Sequence, residues 1–230
     1  MGILKSREEI EYIKRAQKIT DDTFEYILTK IKPGVTEIEI ASEIESFMKK
    51  SGAEALAFDP IVVSGVRGAL PHGEPTDKKI ENGELLTIDM GAVVNGYHSD
   101  MTRTVAIGEI SSDKKVVYDI VFSAQFTATI KLKSGVKASD VDFAARDAIE
   151  KAGFANFFTH STGHGVGLKV HEDPKISSES DDILQCGMVV TIEPGIYIPN
   201  RLGVRLEDML LITENGYEKL THSPKRLIVL

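Results

Sequence analysis

One cysteine, Cys186, is all that 230 residues contain. No internal disulfide can form, and a thiolate cage for a structural metal is excluded. Positive charge is also in deficit: 27 Lys and Arg face 35 Asp and Glu, a net charge of −8. That balance argues against nucleic acid or an anionic membrane surface as the main partner. The sequence shows no apolar run long enough to span a bilayer and no secretory leader, which makes the cytoplasm the expected compartment. Low-complexity tracts and Pro/Ser-rich linkers are missing too, so nothing in the composition divides the chain. A chain of this size can bury roughly 70% of its unfolded surface without staples.

What the chain does contain is one plan stated twice. Ser6-Arg-Glu-Glu9 is a capping box followed by apolar residues at helical spacing (Ile10, Ile13, Ile19, Phe24, Ile27, Ile31). A second box, Thr36-Glu-Ile-Glu39, predicts another helix that stops at Gly52. The second pass predicts a helix from about Asp113 to Lys133 and one from near Ser139 to Gly153. Lys32 and Gly52 recur as Lys133 and Gly153, a constant offset of 101 positions. Each helix pair is followed by a predicted strand pair containing acids, and Thr191-Ile192-Glu193 echoes Thr87-Ile88-Asp89. Glu207 stands where Asp100 stands in the first pass. The expectation is one α+β domain built from two related halves.

The first acidic hairpin, "GELLTIDMGAVVNGYHSDMTRTVAIG", turns at Asn95-Gly96, a pair suited to a two-residue hairpin loop. With those two in the turn, Val94 faces Tyr97, and Gly91 falls opposite Asp100. Asp89, two residues from Gly91, then shares a face with Asp100, their Cα atoms roughly 7–8 Å apart. Two carboxylates so placed repel each other, and a divalent cation would remove the repulsion. For the hairpin by itself, two solvent-facing aspartates explain the letters equally well. "HSTGHGVGLKVHEDP" adds His160, His164 and His171 within twelve positions, and Glu193 and Glu207 supply a second acidic pair. Four carboxylates and an imidazole suit two hard or borderline divalent ions, with Mn, Co, Fe or Zn as candidates. His98 and His222 have no partners in these motifs and are expected at the surface. Phe58 is expected in the core, with a place in a pocket wall as the alternative, and Cys186 as a small hydrophobe before a strand.

Asp89, Asp100, His164, Glu193 and Glu207, in this order and spacing, resemble the five ligands of the dinuclear "pita-bread" metallopeptidases. That fold is shared by methionine aminopeptidases, Xaa-Pro aminopeptidases and Xaa-Pro dipeptidases (prolidases). The resemblance runs from about Lys5 to Leu230. "GYHSDMTRT", "STGHGVGLKVHEDP" and "EPGIYIPNRLGVRLED" look like the Xaa-Pro branch. Methionine aminopeptidases usually place His-Thr after the last ligand glutamate, where this sequence has Asp208-Met209.

The resemblance implies two divalent ions per chain, Mn or Co ahead of Fe or Zn, and a hydroxide between them that attacks the first peptide bond. Glu193 would also relay the proton. His72 and His171 would flank the scissile bond, His160 would lie nearer the proline, and Arg205, beside Tyr197, would touch either substrate or a ligand carboxylate. The expected partners are short peptides with proline second, and a homodimer. Xaa-Pro relatives carry a further N-terminal domain, whereas this sequence opens on the catalytic region's first helix, so residues 1–230 are expected to form a catalytic domain alone. A methionine aminopeptidase, a creatine amidinohydrolase that works without metal, and a non-catalytic peptide- or histone-binding module are the alternatives on this fold. The intact ligand set argues against the last two.

Overall fold

A computed structural model describes residues 2–230. Helix α1 (Arg7–Leu28) starts where Ser6 Oγ accepts from the Glu9 N–H and the Glu9 carboxylate accepts from the Ser6 N–H. Helix α2 (Glu37–Lys50) repeats the device with Thr36 and Glu39. Helices α3 (Ser112–Thr129) and α4 (Ala138–Lys151) follow in the second half, and neither has a side-chain cap. A cap contributes about 1 kcal/mol, less than burying a single Val or Ile at roughly 1.5–3 kcal/mol. The buried stripe Val117, Val121, Ala124 and Ala128 therefore suffices for α3. α3 ends four residues before the expected Lys133, with Ile130 as its C-cap. The repeat survives most clearly in its glycines. Gly34 and Gly135 have φ of 93° and 87°, and Gly52 and Gly153 have 95° and 86°, a conformation costly for other residues.

The first half adds strands β1 (Ala55–Leu56), β2 (Ile61–Ser64), β3 (Leu85–Met90), β4 (Ala92–Val94), β5 (Tyr97–His98) and β6 (Met101–Ala106). The turn at Asn95-Gly96 forms with φ of 51° and 77°, and Val94 pairs with Tyr97 as counted. The long hairpin does not remain in one sheet, however. β3 and β6 join β2, while β4 and β5 join β1. The change of sheet falls at Gly91, where an added Cβ would lie 2.0 Å from the Ser99 carbonyl oxygen.

The second half supplies β7 (Gly163–Gly165), β8 (Glu172–Ile176), β9 (Val189–Ile192), β10 (Gly195–Ile198), β11 (Leu202–Arg205), β12 (Asp208–Ile212) and β13 (Tyr217–Lys219). Its hairpin also bends. β9 and β12 sit in a five-stranded sheet ordered β13-β12-β9-β7-β8, while β10 and β11 pair separately. The ladder pairs Ile192 with Asp208 and Gly195 with Arg205, which sets Glu193 directly opposite Glu207. In the first half Asp89 faces Thr102, so Asp89 and Asp100 are diagonal as expected. The two acidic pairs are thus related in order but not in register.

Each half is built mainly around its own apolar core. Ile40, Ile44, Ile88 and Met101 belong to the first, and Val121, Val141, Val190 and Leu210 to the second. A third cluster packs Ile13 of α1 against Val189 and Met209 of the second half. Polar contacts also join the halves. Arg103, on β6, is 1% exposed and donates to Asp208 of β12 at 2.7 Å and to the Glu207 carbonyl. Asp208 also accepts from Lys225 at 2.5 Å and Gln125 at 3.2 Å. Burial alone would raise the Asp208 pKa, but Arg103, Lys225 and Lys219 hold it at about 2. Removing one partner of a buried pair typically costs about 3–5 kcal/mol, and Asp208→Asn is expected to lose stability in that range at pH 7. A depressed carboxyl stabilises fully above its unfolded value of 3.8 and ceases to do so as pH falls through about 2. The stability gap between wild type and Asp208→Asn, measured by urea unfolding, should therefore narrow between those two values.

Candidate metal centre

The bends explain how aspartate and glutamate come to stand in apolar hairpins. Asp89 is the second-last residue of β3, two positions before the break at Gly91. Asp100 lies between β5 and β6, Glu193 between β9 and β10, and Glu207 between β11 and β12. Leaving a sheet there turns all four side chains toward one point between the halves. Asp89, Asp100 and Glu207 are 8%, 4% and 1% exposed, so the solvent-facing explanation of the first two does not hold.

His164, in the middle of β7, enters the same space. Its Nδ1 is 3.0 Å from the Gly165 carbonyl oxygen, which leaves Nε2 directed at Glu193 Oε1 (3.3 Å) and Asp100 Oδ2 (3.5 Å). Such a carbonyl contact fixes the ring and the nitrogen available to a metal. Glycine flanks His164 for a steric reason: a Cβ at 163 would meet the Thr191 carbonyl oxygen at 2.0 Å, and one at 165 the Asp173 carbonyl oxygen at 2.2 Å.

Oxygen and nitrogen donors fall into overlapping groups within 4.8 Å: Asp89, Asp100 and Glu207; His164, Glu193 and Glu207; and Asp100, His164 and His171. Asp100, Glu207 and His164 each belong to two groups, and the two acids, with two oxygens apiece, have the placement a bridging ligand needs. Electrostatics ask for cations at the same point. Burial, followed by the charges of Glu207, Asp89 and Glu193, pushes Asp100 well above the carboxylate range. Burial, with Glu193 and Asp89, raises Glu207 to about 8. Burial also raises Asp89, against the pull of Arg205. Glu193 behaves in the opposite way. Burial would lift it, but the His164 ring brings it down to about 2, while Glu193 overcomes the burial of His164 and raises that ring to about 9. Asp89 Oδ1 and Glu207 Oε1 are buried with no hydrogen-bond partner. Buried carboxylate oxygens without donors are costly, and hard divalent cations fit this donor set.

A cavity of about 630 Å³ opens onto the cluster, and His72, His160, His171 and Arg205 line it with the five candidate ligands. His171 packs edge-on against His164, ring centroids 4.2 Å apart. Exposed His72 comes from the loop after β2. His160 has both ring nitrogens engaged: Nδ1 with the Ser161 carbonyl oxygen at 2.8 Å and Nε2 with the Tyr197 hydroxyl at 2.7 Å. Arg205 is committed to the protein. It donates to Asp89 (2.8 Å), Tyr197 (2.9 Å), Thr102 (3.1 Å) and the Pro71 carbonyl (3.1 Å). Of the two contacts expected for Arg205, the one made is with a candidate ligand carboxylate.

Four side chains differ from or extend the sequence reading. Phe58, expected in the core or in a pocket wall, is half-buried and forms part of the cavity wall. Cys186, expected as a small hydrophobe before a strand, does precede β9 but is exposed in a turn. His98, expected at the surface, is half-buried with Nδ1 3.3 Å from the Gly167 carbonyl oxygen, whereas His222 is exposed as expected. Thr102 was not anticipated at all. Its hydroxyl donates to Glu207 Oε2 at 2.8 Å and so holds the oxygen opposite the unpartnered one. The only signal for it in the sequence is its register position across from Asp89.

Residues 11–214 match the family described as Metallopeptidase family M24. The "Uncharacterized peptidase YqhT" of Bacillus subtilis is 51% identical over 230 residues, 100% of this chain and 65% of that protein. An Xaa-Pro dipeptidase from Bacillus anthracis superposes with a TM-score of 0.98 at 48% identity, covering 99% of this chain and 64% of its own. An X-Pro aminopeptidase from Thermotoga maritima gives 0.97 at 44% identity, covering 99% and 65%. The chain therefore belongs to metallopeptidase family M24 and has its pita-bread fold. It spans about two thirds of the length of these relatives.

If the cluster holds cations, removing a shared carboxylate should weaken more than one position. Asp100→Asn is expected to lower bound Mn²⁺ or Co²⁺ from up to two equivalents to one or fewer after equilibrium dialysis. It should also reduce the rise in melting temperature on adding metal.

Proposed function

We propose that this domain hydrolyses the peptide bond between an N-terminal residue and a following proline, with two divalent cations as cofactors. The observation that carries the reading is the convergence of Asp89, Asp100, His164, Glu193 and Glu207, with unpartnered buried oxygens, at the floor of a single cavity. Asp89, Asp100 and Glu207 would hold one cation and His164, Glu193 and Glu207 the other, with Asp100 shared. Mn or Co suits this oxygen-rich set best, and Fe or Zn could replace them. When bound, the cations would lower the pKa of water to near neutrality and act as Lewis acids toward the substrate carbonyl.

The chain's own residues supply the rest. Water adds to the carbonyl carbon, the C–N bond breaks, and a proton must travel from the water to the departing nitrogen. Glu193, beside the attacked carbon, would carry it. His72 and His171 would donate to the carbonyl oxygen as charge grows there. His160, with both nitrogens occupied, would form a wall of the site rather than exchange protons. Arg205 would hold Asp89 in place.

Two observations support proline in the second position. Phe58, Pro60, Ile61, Pro71 and Pro75 give the cavity an apolar wall suited to a pyrrolidine ring. An Xaa-Pro bond also has no N–H to satisfy, so such a wall needs no acceptor at that point. The solved structures named above are an Xaa-Pro dipeptidase and an X-Pro aminopeptidase, which favours this branch over methionine aminopeptidase. The substrates would be short peptides. No helix of the described residues is long and apolar enough to cross a membrane. A cytoplasmic enzyme acting as a homodimer is the setting this reading favours.

The test compares kcat/KM for Xaa-Pro, Xaa-Pro-Yaa and Met-Ala-Yaa peptides with the same metal. Xaa-Pro bonds should be preferred, and chelation should abolish turnover. A clear preference for Met-Ala-Yaa would move the protein to the methionine branch. Residue roles are separable by substitution. Glu193→Gln should cost roughly 10²–10⁴-fold in kcat, and His160→Ala far less. Equal losses would remove the proton relay from Glu193.

A further inference from the structure

Glu37, in the first turn of α2, is fully buried, lies outside the cavity, and has no part in the chemistry proposed above. Its carboxylate nevertheless accepts five hydrogen bonds. Oε1 takes the Ser64 N–H (2.8 Å) and the Ser64 hydroxyl (3.0 Å). Oε2 takes Arg67 Nε (3.0 Å), the Thr76 N–H (3.1 Å) and the Thr76 hydroxyl (2.9 Å). Ser64 and Thr76 are the two ends of the loop that carries His72. Arg67, clasped by Glu37, reaches across the same loop and donates to the Glu74 carbonyl at 2.6 Å.

Apolar burial does little to hold this loop. Val66 and Leu70 are 54% and 49% exposed, and His72 itself is exposed. Other tethers are the Arg205 bond to the Pro71 carbonyl and the close approach of Gly68 to Gly203. Both act on the side of the loop facing β11, whereas Glu37 closes its two ends. At those ends the Ile38 N–H also donates to the Thr76 carbonyl, and Lys78 Nζ to Ser64 Oγ. The second half has a parallel arrangement. Asp142 on α4 accepts from Thr162 and Arg146, and Arg146 donates to the carbonyl of His160. A buried acid on the second helix of each half, with an arginine, holds a histidine-bearing segment at the cavity rim.

We infer that Glu37 is a positioning residue that holds His72 over the acidic cluster. The inference rests on the proposed role of His72, so the test must separate the two. Turnover of an Xaa-Pro peptide by the metal-loaded protein is measured for Glu37→Gln, His72→Ala and the double variant. The imidazole resonances of His72 and His160 are followed in ¹⁵N-histidine-labelled wild type and Glu37→Gln. Misplacing a catalytic group by about 1 Å can cost on the order of 100-fold, so Glu37→Gln is expected to lower kcat by roughly 10- to 100-fold with little change in KM. The double variant should be no slower than His72→Ala, and the His72 resonance should move while that of His160 stays.

A loss in the double variant equal to the product of the single losses, or an unmoved His72 resonance, would overturn the inference and leave Glu37 a general stabiliser. If His72→Ala turned over normally, the proposed role of His72 would fall, and the resonances would still decide whether Glu37 places that ring. Should Glu37→Gln fail to fold, Thr76→Val, which removes one donor to the same carboxylate, is put through both measurements and judged by the same outcomes.

Discussion

Two arginines cross the boundary between the halves in opposite directions, and the acidic cluster depends on both. Arg205, from the second half, pairs with Asp89 of the first at 2.8 Å, and Arg103, from the first half, pairs with Asp208 of the second at 2.7 Å. Four carboxylates at one point, three of them buried, would otherwise drive the hairpins apart. Arg205 neutralises one of the four directly. Arg103 acts beneath the cluster, where its bonds to Asp208 and to the carbonyls of Thr102 and Glu207 fix the strands that carry the acids. Arginine suits both positions because its planar, permanently charged head can satisfy several acceptors at once.

This division sorts the acids by role. Asp208 is surrounded by Arg103, Lys225 and Lys219 and kept ionised, so its negative charge is already balanced. At Asp100 and Glu207 the pull of Arg205, joined at Glu207 by His164, is outweighed by burial and the neighbouring acids, which leaves negative charge in excess. A structural carboxylate at 208 stands directly after a candidate ligand at 207. Side-chain alternation at the start of β12 sends them to opposite faces.

Much of this was legible in the letters. Asn95-Gly96 fixed the register of the first hairpin, and counting from it placed Asp89 and Asp100 on one face, as the ladder has them. The capping boxes at Ser6 and Thr36 located two helix starts to the residue. The change of sheet at Gly91 was not legible, because it follows from the approach of the Ser99 carbonyl, a contact no local pattern encodes. No local pattern singles out Arg103 and Asp208, and only the opposing half reveals them as a buried pair. Glu37 was hidden by its own capping box, since an acid in the first turn of a helix has a sufficient local explanation. Phe58 stayed open between core and pocket for a related reason: an aromatic in an apolar stretch reads the same whether it faces the interior or a cleft.

The contacts that assemble the site join positions far apart along the chain. Asp89 and Arg205 are 116 positions apart, and Thr102 and Glu207 are 105. Closing such spans costs chain entropy before any contact is gained, and topologies dominated by distant pairing fold slowly. Local structure within either half can form without bringing the five donors together. An ion that needs ligands from both halves can then bind only after the halves have docked, so it favours the finished fold over every partly folded form. Cation supply would thus set how long a newly made chain remains closed, quite apart from any reaction it carries out.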